Sequence, residues 1–398
     1  MKRIILIVAF ALLAGAAVHL AGDASAPQGP AVSFAKAITV ISPLLYPSSL
    51  AAGDLNHSGI PGLAVVSADN NAPLVYALGK GNGRFRHRRQ NNNVGYAPGF
   101  VLLADVEGAG NLDAITTDIG AGDLNVAFGD GKGHLYGGKR LLVDGVESTY
   151  IVAVADLNGD GIPDIVGTTN NGIFVILGKG SRKFGDTLMF DSGGQYPYGI
   201  AAGDLNHDGI PDLVVANNGG DQPPYGYNVA VLLGKGDGTF EKPVRYEAGV
   251  RPWDLVLGDF NRDGNLDLAV TGPDSPNTVH VLLGNGDGTF GPAKAYRAGL
   301  FPISIVAADF NGDGKLDLAV ANYTNPMPCH VSVMLGNGDG TFQPPVQFRV
   351  GVSPAQLVVA DFNKDGKPDI ATINGGGSTI SILLNTTQFP TQPASHPH

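Results

Sequence analysis

Cysteine is nearly absent: Cys329 is the only one in 398 residues, so no disulfide can close within the chain. Long apolar runs are missing too. The longest, Ile4 to Val18, falls short of the roughly 20 residues a membrane span needs. Positive charge is scarce, with 25 Lys and Arg against 36 Asp and Glu, and a net charge of -11 excludes a surface built for nucleic acid. No nucleophile elbow, zinc-type His/Glu helix or phosphate loop occurs. Outside the N-terminus there is no apolar periodicity of a long amphipathic helix.

What the chain has instead is turns and repeats. Gly 58 and Pro 27 beside 43% hydrophobic residues indicate many short strands joined by tight turns. Seven segments spaced 48 to 55 residues apart, beginning at Asp54, Asp105, Asp156, Asp204, Asp259, Asp309 and Asp361, write versions of Asp-x-Asn-x-Asp-Gly-x-x-Asp. A period of that size means one supersecondary unit repeated. The fifth unit serves as specimen. Trp253 to Gly258 and Leu266 to Thr271 read as strands flanking its acidic loop, and Val279 to Leu283 as a third. Gly284 to Phe290 makes a hairpin into a fourth, because Asn-Gly and Asp-Gly supply positive φ. Four strands per unit make an all-β fold, a seven-bladed β-propeller of four-stranded blades. The seventh unit lacks its fourth strand after Asn385, whereas Phe34 to Val40 matches the register of Phe240 to Tyr246. The N-terminal strand is therefore expected to complete the last blade and close the ring, which removes two open sheet edges.

The acidic loops carry the chemistry. Positions one, three, five and nine are Asp156, Asn158, Asp160 and Asp164 in the third loop, and Asp204, Asn206, Asp208 and Asp212 in the fourth. They are Asp259, Asn261, Asp263 and Asp267 in the fifth, and Asp309, Asn311, Asp313 and Asp317 in the sixth. The seventh has Asp361, Asn363, Asp365 and Asp369. Glycine at position six permits the sharp turn that gathers these hard oxygens, which select calcium over magnesium. Three clustered carboxylates repel one another without a cation. Five calcium ions would also nearly neutralise the chain. Loop one has Ser58 and Gly62 where Asp is expected, and loop two has Glu107 and Ala109 at positions three and five, so both are expected to keep the turn but bind weakly or not at all. His57 and His207, at position four, read as solvated turn residues.

Asp-Phe-Asn-x-Asp-Gly-x-x-Asp-Leu-Ala-Val at Asp259 and Asp309, with Leu-Gly-Asn-Gly-Asp-Gly-Thr-Phe at Leu283 and Leu335, resembles the FG-GAP or VCBS repeat family. That repeat also builds the seven-bladed head of integrin α-subunits. The resemblance implies calcium at positions one, three, five and nine of each complete loop. It does not specify an activity, because adhesion modules, lectin-like binders and parts of polysaccharide-degrading enzymes share the repeat.

Chain direction puts acidic loops and hairpins on one face of the disc, and blade-to-blade connections on the other. On that second face the units differ most. Aromatic and polar residues gather there in units four to six: Tyr198, Tyr225, Tyr227, Arg251, Trp253 and Tyr323 are the candidate ligand contacts. Flat rings with a few polar groups suit a sugar or a protein surface. The functional expectation is an exported, monomeric, calcium-binding module for carbohydrate or an extracellular protein, without catalysis. The alternatives are a calcium-dependent polysaccharide lyase and a structural segment of a cell-surface assembly. Lys2, Arg3, the apolar run and Ala24-Ser25-Ala26 read as a signal peptide at 1–26. A linker at 27–33, the propeller at 34–385 and a disordered polar tail at 386–398 complete the organisation.

Overall fold

A computed structural model of the chain describes residues 31–42, 44–92, 94–219, 227–272, 277–324 and 328–389; the segment read as a signal peptide lies outside them. They form seven antiparallel four-stranded sheets, six of which run in chain order. The seventh joins Ile38–Ile41 to Thr379–Leu383, Asp369–Asn374 and Pro354–Ala360, so the first strand of the chain completes the last blade. Each inner strand packs beside that of the next blade, and the seventh beside the first, closing a ring. No helix among the described residues is long and apolar enough to cross a membrane.

Composition follows position within a blade. Second and third strands are buried on both faces by neighbouring blades. Hence Asp267–Gly272 and Thr278–Leu282 are buried at almost every position, not at alternate ones. Outer strands such as Val244–Tyr246 face the rim and carry polar residues. The core divides into seven apolar clusters, one at each blade interface. Stability is therefore distributed over nearest-neighbour contacts.

Closure is built residue by residue. Phe34 bridges Asn385 as Phe240 bridges Gly234 and Phe290 bridges Gly284. The ordered body extends past the expected boundaries: Val32 is buried, and Ser33 hydrogen-bonds Thr386 and Thr387. Thr386, Thr387 and Phe389 of the expected tail thus touch the propeller, Phe389 over the sixth loop at Gly312.

Candidate metal centre

Each acidic loop joins an inner strand to a second strand. In the third loop, Asp156 Oδ1 accepts the N–H groups of Gly159 (2.8 Å) and Asp160 (3.2 Å), while Oδ2 accepts that of Gly161 (2.8 Å). Asn158 Oδ1 takes the Asp160 N–H at 3.0 Å, and Asp160 Oδ1 takes the Ile162 N–H at 2.8 Å. Side-chain oxygens of positions one, three and five are thereby held around one turn, and loops four to seven repeat the pattern.

Position nine has a second task that the motif did not reveal. Asp164 opens the second strand, fully buried. Its Oδ2 accepts the Leu157 N–H and its Oδ1 the Gly178 N–H of the blade's own hairpin, both at 2.8 Å. Asp212, Asp267, Asp317 and Asp369 do the same. So does Asp113 in the degenerate second loop. This carboxylate fastens the loop to the hairpin whatever else it holds. Burial, then the neighbouring carboxylates, pushes Asp317 up to about 7 and Asp369 up to about 6, and raises Asp164, Asp212 and Asp267. A cation nearby would reverse the repulsive part of that rise.

The donor chemistry fits a hard cation such as calcium: carboxylates, an amide oxygen and backbone carbonyls around one turn. Among the described residues no three Asp, Glu, His or Cys side chains converge by themselves into a metal cluster. The amide and backbone oxygens are therefore needed to complete a coordination shell.

The loops are also linked around the ring. The hairpin N–H of Gly238 donates to the Leu157 carbonyl of the preceding blade, and Gly288, Gly340 and Gly83 donate likewise to Leu205, Phe260 and Phe362. These bonds place hairpins and acidic loops on one face. Where the seventh hairpin is split, the Asn385 side-chain amide donates to the Phe310 carbonyl instead, at 2.8 Å. Position four completes the linkage. His57 Nε2 lies 3.0 Å from Asn111 Oδ1 and His207 Nε2 2.8 Å from Asn265 Oδ1, each in the next loop. Both histidines are exposed, yet they bridge blades and are not simply solvated. Loop two has no acid at position five, and its Glu107 instead pairs with Arg182 of the next blade at 2.8 Å. Arg182 also covers the Phe128 ring at 4.6 Å.

The opposite face is different in kind. Tyr150 stacks on Tyr198 (5.2 Å between centroids), and Tyr198 packs on Trp253 (4.3 Å), a row of rings across blades three to five. Tyr198 is enclosed on both faces, so its ring is spent on its neighbours; burial raises its pKa. Trp253 ends the row. Beside it Asp254 accepts from the N–H groups of Leu255 and Ile305, and burial pushes its carboxyl up to about 6. Arg251 adopts φ of 52°, and Tyr46, Tyr196, Phe301 and Ser353 hold the same left-handed corner before their blades' inner strands. Side chains pay strain there, and Asn218 Nδ2 grips the Arg251 and Pro252 carbonyls. Tyr323 is 44% exposed and Tyr227 half-buried, whereas Tyr225 lies outside the described residues. The most open groups of this face are Leu45 and Tyr46, each 67% exposed, with Tyr96, Tyr196, Val250 and Leu300. None of the exposed large hydrophobic residues belongs to an acidic loop or hairpin turn.

The fold is shared widely. A lectin of Agrocybe aegerita, solved for its recognition of non-reducing terminal N-acetylglucosamine, is 20% identical with a TM-score of 0.52, covering 85% of this chain and 94% of that one. BBS1N, solved in complex with ARL6DN, is 15% identical with a TM-score of 0.58, over 90% and 98%. The rhamnogalacturonan lyase YesW is 13% identical with a TM-score of 0.51, over 92% and 76%. At such identities the likeness is one of fold. No curated protein is similar enough to count as a relative. The model of the FG-GAP-like repeat matches residues 156–215, 208–270, 259–320 and 309–372; three of these matches begin on the first Asp of a complete acidic loop, the second begins within the fourth loop at Asp208, and each ends just past the next loop. These matches run through more than half of the chain, and the chain belongs to the FG-GAP-like repeat family.

Proposed function

We propose that this propeller is an exported, monomeric, calcium-stabilised module that binds carbohydrate on its blade-connecting face. The observation that carries this reading is the segregation of the two faces. Acidic loops occupy one, and the solvent-exposed rings of Tyr46, Tyr96, Tyr196 and Tyr323 occupy the other, beside Arg251 and the end of the Trp253 row. Exposed aromatic rings rimmed by polar groups offer apolar faces to sugar rings and hydrogen bonds to their hydroxyls. The lectin of the same fold supports the choice of ligand class, and the Lys-Arg start followed by Ile4 to Val18 supports export. Calcium, when bound, neutralises the clustered carboxylates of loops three to seven. Its part is structural, because those loops lie on the face away from the tyrosines.

The test is retention on a broad glycan and polysaccharide panel with the calcium-loaded protein, recording any reducing-end or unsaturated product. Retention that is lost in Tyr46→Ala, Tyr196→Ala or the Arg251→Ala/Trp253→Ala pair is the expected result. Product formation would replace the binder by a lyase. Retention unchanged in all three variants would move the site off this face.

A further inference from the structure

The interface that closes the ring lacks a part the other late interfaces have. In blades three to six, six residues after the phenylalanine that begins the outer segment stands a second ring, Phe190, Tyr246, Tyr296 and Phe348; blades one and two have Asn91 and Leu141 there. Each second ring packs edge-to-face on the first ring of the next blade: Phe190 on Phe240 at 5.4 Å, Tyr246 on Phe290 at 5.7 Å, Tyr296 on Phe342 at 5.6 Å, and Phe348 on Phe34 at 4.9 Å. Counting six from Phe34 gives Val40. Where a ring should meet Phe85 of the first blade, the seventh blade offers an isopropyl group. A groove of about 420 Å³ opens there, walled by Ile38, Val40, Val75, Phe85 and Ile380. Arg84 stands exposed at its lip, and among the described residues its guanidinium has neither hydrogen bond nor ion pair.

We propose that this groove between blades seven and one is a binding site for a small aromatic anion. The ring takes the edge-to-face place against Phe85 that Val40 leaves vacant, and the carboxylate or sulfonate pairs with Arg84. The four filled interfaces define the shape of the missing group, and the free guanidinium defines its charge. A groove of this volume lies within the range of small-molecule sites. The site is on the rim, and does not rest on the carbohydrate reading of the blade-connecting face.

Anilinonaphthalene sulfonate is the probe. The purified chain should enhance its fluorescence saturably at one site, with phenylpropionate as competitor. Val40→Phe rebuilds the missing ring from within, and should abolish binding while leaving melting unchanged or higher. Arg84→Gln, a surface change, should weaken binding about tenfold, the equivalent of one charge-assisted hydrogen bond. If Val40→Phe fails to fold, the Arg84→Gln titration carries the test alone. No saturable binding, or equal binding by the folded variants, overturns the site. Competition by dodecanoate but not by phenylpropionate overturns the aromatic assignment in favour of an acyl chain.

Discussion

Loops two and three are neighbours in the ring and share a fastening, but not a charge. In both, the position-nine carboxylate, Asp113 or Asp164, takes one N–H from position two and one from its hairpin. In both, the position-one carboxylate caps the turn. They part at positions three and five. Loop three presents Asn158 and Asp160, with no salt bridge to Asp156 or Asp160 among the described residues. Loop two presents Glu107 and Ala109, and Glu107 meets the guanidinium of Arg182. Loops two and three thus keep positions one, six and nine in common, and differ in the side chains at three and five that the calcium proposal assigns to the cation. Loop two obtains its positive charge from a side chain of the next blade. Under the calcium proposal, loop three takes one from solution.

That contrast can be broken from either side. Removing the hub is the strongest move. Asp156→Ala should cost roughly 3–4 kcal/mol in calcium but only about 1 in chelator, because it forfeits a linked ion as well as the caps. Asp105→Ala should cost about 1 kcal/mol in both, as read by urea unfolding. Arg182→Ala comes next. It leaves Glu107, whose side chain is only 8% exposed, without its cation, at a cost of about 1–3 kcal/mol that chelator does not alter. At the ring closure, Asn385→Ala removes the amide donated to the Phe310 and Pro368 carbonyls, and about 1–2 kcal/mol by chemical denaturation is expected.

The smallest effect separates metal-linked from metal-free titration. Burial raises Asp254 to about 6 from an ordinary 3.8, far from any acidic loop. The folded state then holds its proton more tightly than the unfolded chain. The stabilising contribution is full below about 3.8 and is lost as pH rises through about 6. Melting temperature in chelator should fall over that window, and Asp254→Asn should flatten the fall.

The blade plan was legible because each unit repeats its turn chemistry. The Asp-Gly and Asn-Gly hairpins, the acidic loops and the Phe34 register define four strands and a closing one without any contact being known. What stayed hidden depends on neighbours far apart in the chain. His57 and Asn111 are joined only because successive loops lie side by side. Tyr198 looked like an open platform, but its faces are taken by Tyr150 and Trp253 from adjoining blades. The exposed Tyr96 carries no local signature that distinguishes it from core rings.

The central claim is that the complete acidic loops hold calcium and that calcium holds the blades. Calorimetric titration of chelator-treated protein, with melts before and after, tests it most directly. The account predicts about five ions bound and a large rise in melting temperature on saturation, about 2.7 kcal/mol per independent site at a hundredfold excess over the dissociation constant. Fewer than one ion bound, with identical melts in calcium and chelator, would contradict it.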